Sequence, residues 1–223
     1  MEIKYKLQSV SKDIGWQHNE LAYIPISLQN KYHYGQRFAH LLDWTAKRHS
    51  KIVINISDSL YRHNFISQRS QKNIAYSKAL NSGQEWLLAH HFLLDGYNIV
   101  KIHRWDDWLN HPDYLELHKK ILYLYESDNN FQKHIETDIT NFTSRKIRRT
   151  KANHHRSIES SRNFLLEECA CYILIGRRYR ANRIYPGSSG NWFLYLQNSD
   201  IPEALQGCGN LSNIHIKFKR VRP

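Results

Sequence analysis

Short apolar runs separated by longer stretches of helical period organise this chain. Residues 21–26 (LAYIPI), 52–56 (IVINI) and 97–102 (YNIVKI) are brief, rich in branched and aromatic side chains and not strictly alternating, the pattern of buried strands. Between them, residues 34–48 carry apolar side chains at Phe38, Leu41, Leu42 and Trp44, and residues 66–94 hold a longer helical pattern ending before Gly96. Alternation of strand and helix predicts an α/β fold: a doubly wound, Rossmann-like, mostly parallel sheet with helices on both faces. Such a sheet binds ligands in the crevice beyond the C-terminal ends of its strands, where Ser27 and Asp58 fall.

Further along, residues 113–149 read as polar helix, and residues 157–176 as a helix whose second half is apolar on all sides and therefore buried. In RIYPGSSGNW a short strand reaches Tyr185, with Pro186 and Gly187 turning the chain at the edge of the sheet. Residues 214–221 alternate Ile214, Ile216 and Phe218 with His215, Lys217 and Lys219, a strand near an edge. Without repeats, low-complexity tracts or long linkers, residues 1–223 are expected to form a single domain and to work as a monomer.

Composition narrows the function. A hydrophobic fraction of 41% with 13% aromatic residues excludes a disordered chain. The 32 Lys and Arg against 20 Asp and Glu give a net charge of +12, which favours a polyanionic partner, nucleic acid first, although a basic surface with no such partner has the same composition. Three cysteines, Cys169, Cys171 and Cys208, make no disulfide framework, and no apolar run has the length of a signal peptide or membrane span. A soluble cytoplasmic protein with no membrane association is expected.

Phosphate-binding, dinucleotide, zinc-protease and ATP-dependent synthetase motifs are absent, so no cofactor is expected. Adjacent histidines, His90 with His91 and His154 with His155, point to different helix faces, so no metal is expected either. Ser27 ends its strand facing the crevice, placed to be a nucleophile or to cap the following turn. On the helix at 157–176, Ser161, Phe164, Leu165, Glu168 and Tyr172 share one face. A buried carboxylate there requires either a substrate ammonium or an internal arginine such as Arg104 or Arg183. Tyr185 is held before a turn and is suited to proton relay or to packing. Two basic patches are candidates for a phosphate backbone: Arg145, Lys146, Arg148, Arg149 and Lys151 within residues 144–156, and Arg69, Lys72 and Lys78.

The segments PISLQNKYHYGQRFAHLLDW, IVINISDSLYRHNF, HRWDDWL, FLLEE and IYPGS, in this order, resemble the tRNA-dependent cyclodipeptide synthases over nearly the whole chain. Tyr185 and Pro186 resemble the branch of that family marked by a Tyr-Pro pair. The resemblance implies a fold similar to the catalytic domain of class I tyrosyl and tryptophanyl tRNA synthetases and an aminoacyltransferase that consumes two aminoacyl-tRNAs per cyclic dipeptide. It implies Ser27 as the acylated nucleophile, Glu168 as the group holding the substrate amine, Tyr185 as a proton shuttle and Asn30 as a catalytic-site asparagine. Tyr23, Pro25, Phe164 and Pro186 would line the substrate pocket, with Phe164 standing where the family has a tyrosine. The rivals are a silent tRNA-binding module and a transferase to an acceptor other than tRNA.

Overall fold

A computed structural model of the protein describes residues 5–9, 20–68, 70–147, 154–198 and 200–220. Its strands are β1 (Tyr5–Ser9), β2 (Leu21–Ile26), β3 (Lys51–Ile56), β4 (Ile99–Arg104), β5 (Ala181–Tyr185) and β6 (Leu211–Arg220). They form one sheet in the order β1-β6-β5-β2-β3-β4. The five from β6 to β4 are parallel, and β1 adds antiparallel to the second half of β6. The doubly wound sheet expected from the alternation of elements is therefore present.

The two-residue period of the strands sorts their side chains between two cores. Ala22, Ile24, Ile26, Ile52, Ile54 and Ile56 face Phe38, Leu41 and Leu42 of α1 (Gly35–Ala46) and Trp86 of α3 (Lys72–Leu94). Tyr23 and Val53 face the opposite layer, built from the short α4 (Asp106–Leu109), α5 (Tyr114–Ser127), α6 (Asn129–Ile147), α7 (His154–Arg178) and α8 (Asn191–Leu196). Ser27 shares the parity of Tyr23 and Pro25, so it belongs to the α7 side. On α7, residues 169–176 are all buried, as their composition requires. At Gly176 a Cβ would stand 2.1 Å from the carbonyl oxygen of Gly207, so only glycine admits that close approach.

Several expectations shift. The stretch at 66–94 is two helices, α2 (Arg62–Ser67) and α3, because the Ser70 N–H bonds back to Phe65 O at 3.2 Å and closes the first. The stretch at 113–149 breaks at Asp128, which turns extended at the end of α5 and accepts the Phe131 N–H at 2.8 Å as cap of α6. β4 starts two residues later than expected; as an edge strand it tolerates Lys101 and Arg104. β5 is interior, between β2 and β6, rather than at the edge, and β1 is a strand beyond those expected, forming the edge next to β6. No helix among the described residues is long and apolar enough to cross a membrane.

Candidate active site

A cavity of about 470 Å³, within the range of small-molecule sites, opens beyond the C-terminal ends of β2, β3 and β5. Ser27, Pro25, Phe164, Glu168, Tyr172, Arg183 and Tyr185 all border it. The strand ends supply Ser27 and Tyr185, while one face of α7 supplies Ser161, Phe164, Leu165, Glu168 and Tyr172 at helical spacing. Asn141 and Phe142 of α6 close the rim.

Local hydrogen bonds settle what the loop after β2 does. The Asn30 N–H bonds to Ser27 O at 3.0 Å, and Asn30 Oδ1 accepts the Tyr32 N–H at 3.1 Å, so Asn30 caps the short turn at Lys31–His33. Ser27 is not the cap, and its hydroxyl makes no hydrogen bond among the described residues. His33 Nδ1 accepts the Ser27 N–H at 2.9 Å, which holds the serine backbone. Burial pushes His33 down to about 4, against the opposing effect of the Ser27 carbonyl oxygen 3.2 Å from Nδ1, so the ring is neutral at pH 7. Sequence reasoning missed His33; its signal was a polar ring six residues after the serine in a short turn.

Asn30 Nδ2 also donates to Pro186 O at 3.1 Å, joining the loop after β2 to the turn after β5. Of the residues expected at the site, Asn30 and Pro186 do not border the cavity; through this bond they fix the turn that presents Tyr185. Gly187, at φ +144°, lets that turn pass close to the Tyr185 ring. Tyr23, expected to line the pocket, likewise lies off the wall. It is fully buried beneath the cavity, packed on Tyr172 and Tyr179 at ring distances of 6.4 and 6.2 Å, and does not line it.

Glu168 is half-buried and turned to the cavity, with no hydrogen-bond partner among the described residues. Burial raises its carboxyl to about 7, Arg183 opposes the rise, and Asp138 and Glu167 add to it. Arg104, one of the two arginines expected to pair with it, instead binds Asp58. Arg183 lies on the cavity wall and donates Nε to the Tyr172 hydroxyl at 3.2 Å. Glu167, the neighbour of Glu168, is buried on the next face of α7, where Arg62 holds it with both Nη atoms. His63 and Trp105 Nε1 add contacts to Glu167 at 3.2 and 3.0 Å.

Of the basic patches, Arg145 and Lys146 fall in the last turn of α6, with side chains outside the described residues, as are Arg148, Arg149, Lys151 and Arg69. Lys72 and Lys78 are exposed on α3. Among the described residues no group of His, Cys, Asp and Glu is placed to hold a metal ion.

Residues 8–175 match the family model described as cyclodipeptide synthase. No curated protein matches the chain in sequence. Among solved structures, a cyclodipeptide synthase from Fluoribacter dumoffii is similar with TM-score 0.87 at 23% identity, covering 99% of this chain and 100% of that one. A Mycobacterium tuberculosis protein, described as showing that cyclodipeptide synthetases are related to type I tRNA synthetases, is similar with TM-score 0.73 at 14% identity, covering 96% and 94%. A cyclodipeptide synthase from Candidatus Glomeribacter gigasporarum, solved bound to Phe-tRNAPhe, is similar with TM-score 0.71 at 19% identity, covering 91% and 89%. These likenesses establish the fold, and the match through most of the chain establishes descent: the protein belongs to the cyclodipeptide synthase family, whose members are tRNA-dependent aminoacyltransferases.

Proposed function

We propose that this chain takes two aminoacyl groups from aminoacyl-tRNA and joins them on Ser27 into a cyclic dipeptide, as a member of the branch marked by Tyr185 and Pro186. The observation that carries the reading is the meeting of an unengaged serine hydroxyl, the raised carboxyl of Glu168 and the Tyr185 ring on one cavity at the strand ends. The relative solved with Phe-tRNAPhe supports aminoacyl-tRNA as the substrate.

The tRNA ester is already activated, so positioning supplies most of the catalysis. Ser27 Oγ attacks the ester carbon; the bond to the ribose oxygen breaks, that oxygen takes the serine proton, and an aminoacyl-serine ester remains. Glu168 holds the ammonium of this ester and, with its carboxyl near 7, removes the proton that frees the amine. The amine attacks the second aminoacyl ester, the second tRNA leaves with a proton on its ribose oxygen, and a dipeptidyl-serine forms. Its terminal amine then attacks the serine ester, closing the ring while Tyr185 carries the amine proton to the departing Ser27 Oγ.

Arg145 and Lys146 end the helix whose Asn141 and Phe142 form the rim, and Arg148, Arg149 and Lys151 come next in sequence, which favours this patch over Arg69, Lys72 and Lys78 as the tRNA contact. Intact-protein mass spectrometry with a pool of charged tRNAs tests the reading, with the supernatant analysed for small products. An aminoacyl increment on Ser27 and a cyclic dipeptide are expected, and Ser27→Ala should lower product formation at least about a thousandfold. An increment without cyclic product would mean transfer to another acceptor; tRNA binding with neither signal would mean a silent binding module.

A further inference from the structure

Arg183 is a cation on the cavity wall that the mechanism does not use. It is 5% exposed, yet every group it touches is neutral. Nε donates to the Tyr172 hydroxyl at 3.2 Å, and Nη1 to Ser189 Oγ at 3.0 Å and Asn213 Oδ1 at 2.9 Å. The Tyr172, Tyr185 and Phe193 rings surround the guanidinium at 5.1, 5.0 and 4.9 Å. Nη2 has no hydrogen-bond acceptor among the described residues. A buried guanidinium without a carboxylate is costly unless something anionic completes it.

The anions on the same wall do not complete it. Asp138 spends Oδ1 on Asn191 Nδ2 at 2.7 Å and Oδ2 on the Trp192 N–H at 3.2 Å. Glu168 feels Arg183 electrostatically but forms neither an ion pair nor a hydrogen bond with it. Along the sheet, the backbone of Arg183 lies deeper than Ser27. It pairs with Tyr23 across the β5–β2 register, four residues before Ser27, which is about 13 Å along a strand. Its acceptors hold the guanidinium at the base of the cavity.

We infer that Arg183 selects an acidic side chain in one of the two aminoacyl groups, so that the cavity takes a glutamyl or aspartyl unit whose carboxylate meets Nη2. Such a unit carries both charges the wall complements, an ammonium for Glu168 and a carboxylate for Arg183. A neutral side chain leaves the guanidinium unpaired, and a basic one meets like charge. The inference rests on the transferase reading above and names its substrate class.

The test supplies the full-length chain with tRNAs charged singly and in pairs and identifies each cyclic product by mass. Products containing Glu or Asp should predominate, with Glu favoured over its neutral isostere Gln by at least about tenfold, because a site built for a polar partner rejects an analogue that leaves it unmatched. Arg183→Met should collapse that Glu-to-Gln ratio, and Arg183→Lys should keep Glu preferred. Efficient synthesis of wholly neutral cyclic dipeptides, with no gain from Glu or Asp, would overturn the inference while leaving the transferase reading intact. Absence of both product and Ser27 adduct with every charged tRNA would overturn the transferase reading and the inference with it. The wild-type preference decides the question even if the Arg183 variants fail to fold.

Discussion

Glu167 and Glu168 are neighbours in sequence and opposites in environment. One helical step of about 100° separates them. Glu167 turns toward α2, where Arg62, His63 and Trp105 satisfy both oxygens. Burial works to raise its carboxyl, but the hydrogen bonds from His63 and Arg62 outweigh it and hold the group below the usual carboxylate range. Glu168 turns toward the cavity, finds no hydrogen-bond partner among the described residues, and is raised to about 7 by burial. A saturated carboxylate fixes a structure; an unsaturated one is poised to take up a substrate's charge or proton.

Removing Glu167 probes the first half of that contrast and should have the largest effect. Glu167→Ala removes the carboxylate partner of the half-buried Arg62, which keeps only its bond to Ser59 O, and leaves the buried Trp105 Nε1–H unpaired, an expected loss of about 3 kcal/mol in urea denaturation. A loss below about 1 kcal/mol, the scale of an exposed pair, would show that the cluster is hydrated and that the contrast does not hold.

Glu168→Gln keeps the shape and removes the charge. Turnover should fall roughly a hundredfold, the scale of losing a positioned acid or base, while the denaturation midpoint stays at or above that of the wild type. A large loss of stability would make Glu168 structural like its neighbour.

The two groups should also differ in the sign of their pH dependence. Glu168 titrates at about 7 in the fold against an ordinary 4.5, so the fold binds the extra proton and this group's contribution to stability declines as pH rises across that window. Glu168→Gln should therefore gain stability over the wild type between about pH 5 and 7. Glu167 works in the reverse sense: its contribution is present above the usual carboxylate range and is lost as pH falls through its lowered folded value. A common pH slope for Glu167→Ala and Glu168→Gln, each measured against the wild type, would erase the distinction.

The smallest effect belongs to the surface. Lys72→Glu with Lys78→Glu should leave tRNA affinity and its salt slope nearly unchanged if the end of α6 is the footprint. A reduction of that slope by about 1 per lysine, in filter-binding titrations, would move the footprint to α3.

Much of this was legible along the chain. The short apolar runs around Ile24 and Ile54 and the helical spacing of Phe164, Glu168 and Tyr172 are one-dimensional signals, because burial leaves its pattern in the sequence. They sufficed for the parallel sheet, for Ser27 at a strand end and for the carboxylate on an apolar face. Arg183 was legible as a candidate partner for Glu168 and, by its spacing of two from Tyr185 in a short strand, as sharing that residue's face, but neither signal says what the guanidinium touches.

The rest is a matter of contacts between distant segments, which no local period records. Whether Ser27 or Asn30 caps the turn depended on hydrogen-bond geometry, and Tyr23 left the cavity wall because Tyr172 and Tyr179 pack over it. Glu167 and Glu168 have the same chemistry in the sequence. Arg62, more than a hundred residues away, makes one of them structural, and the empty side of α7 leaves the other free to react.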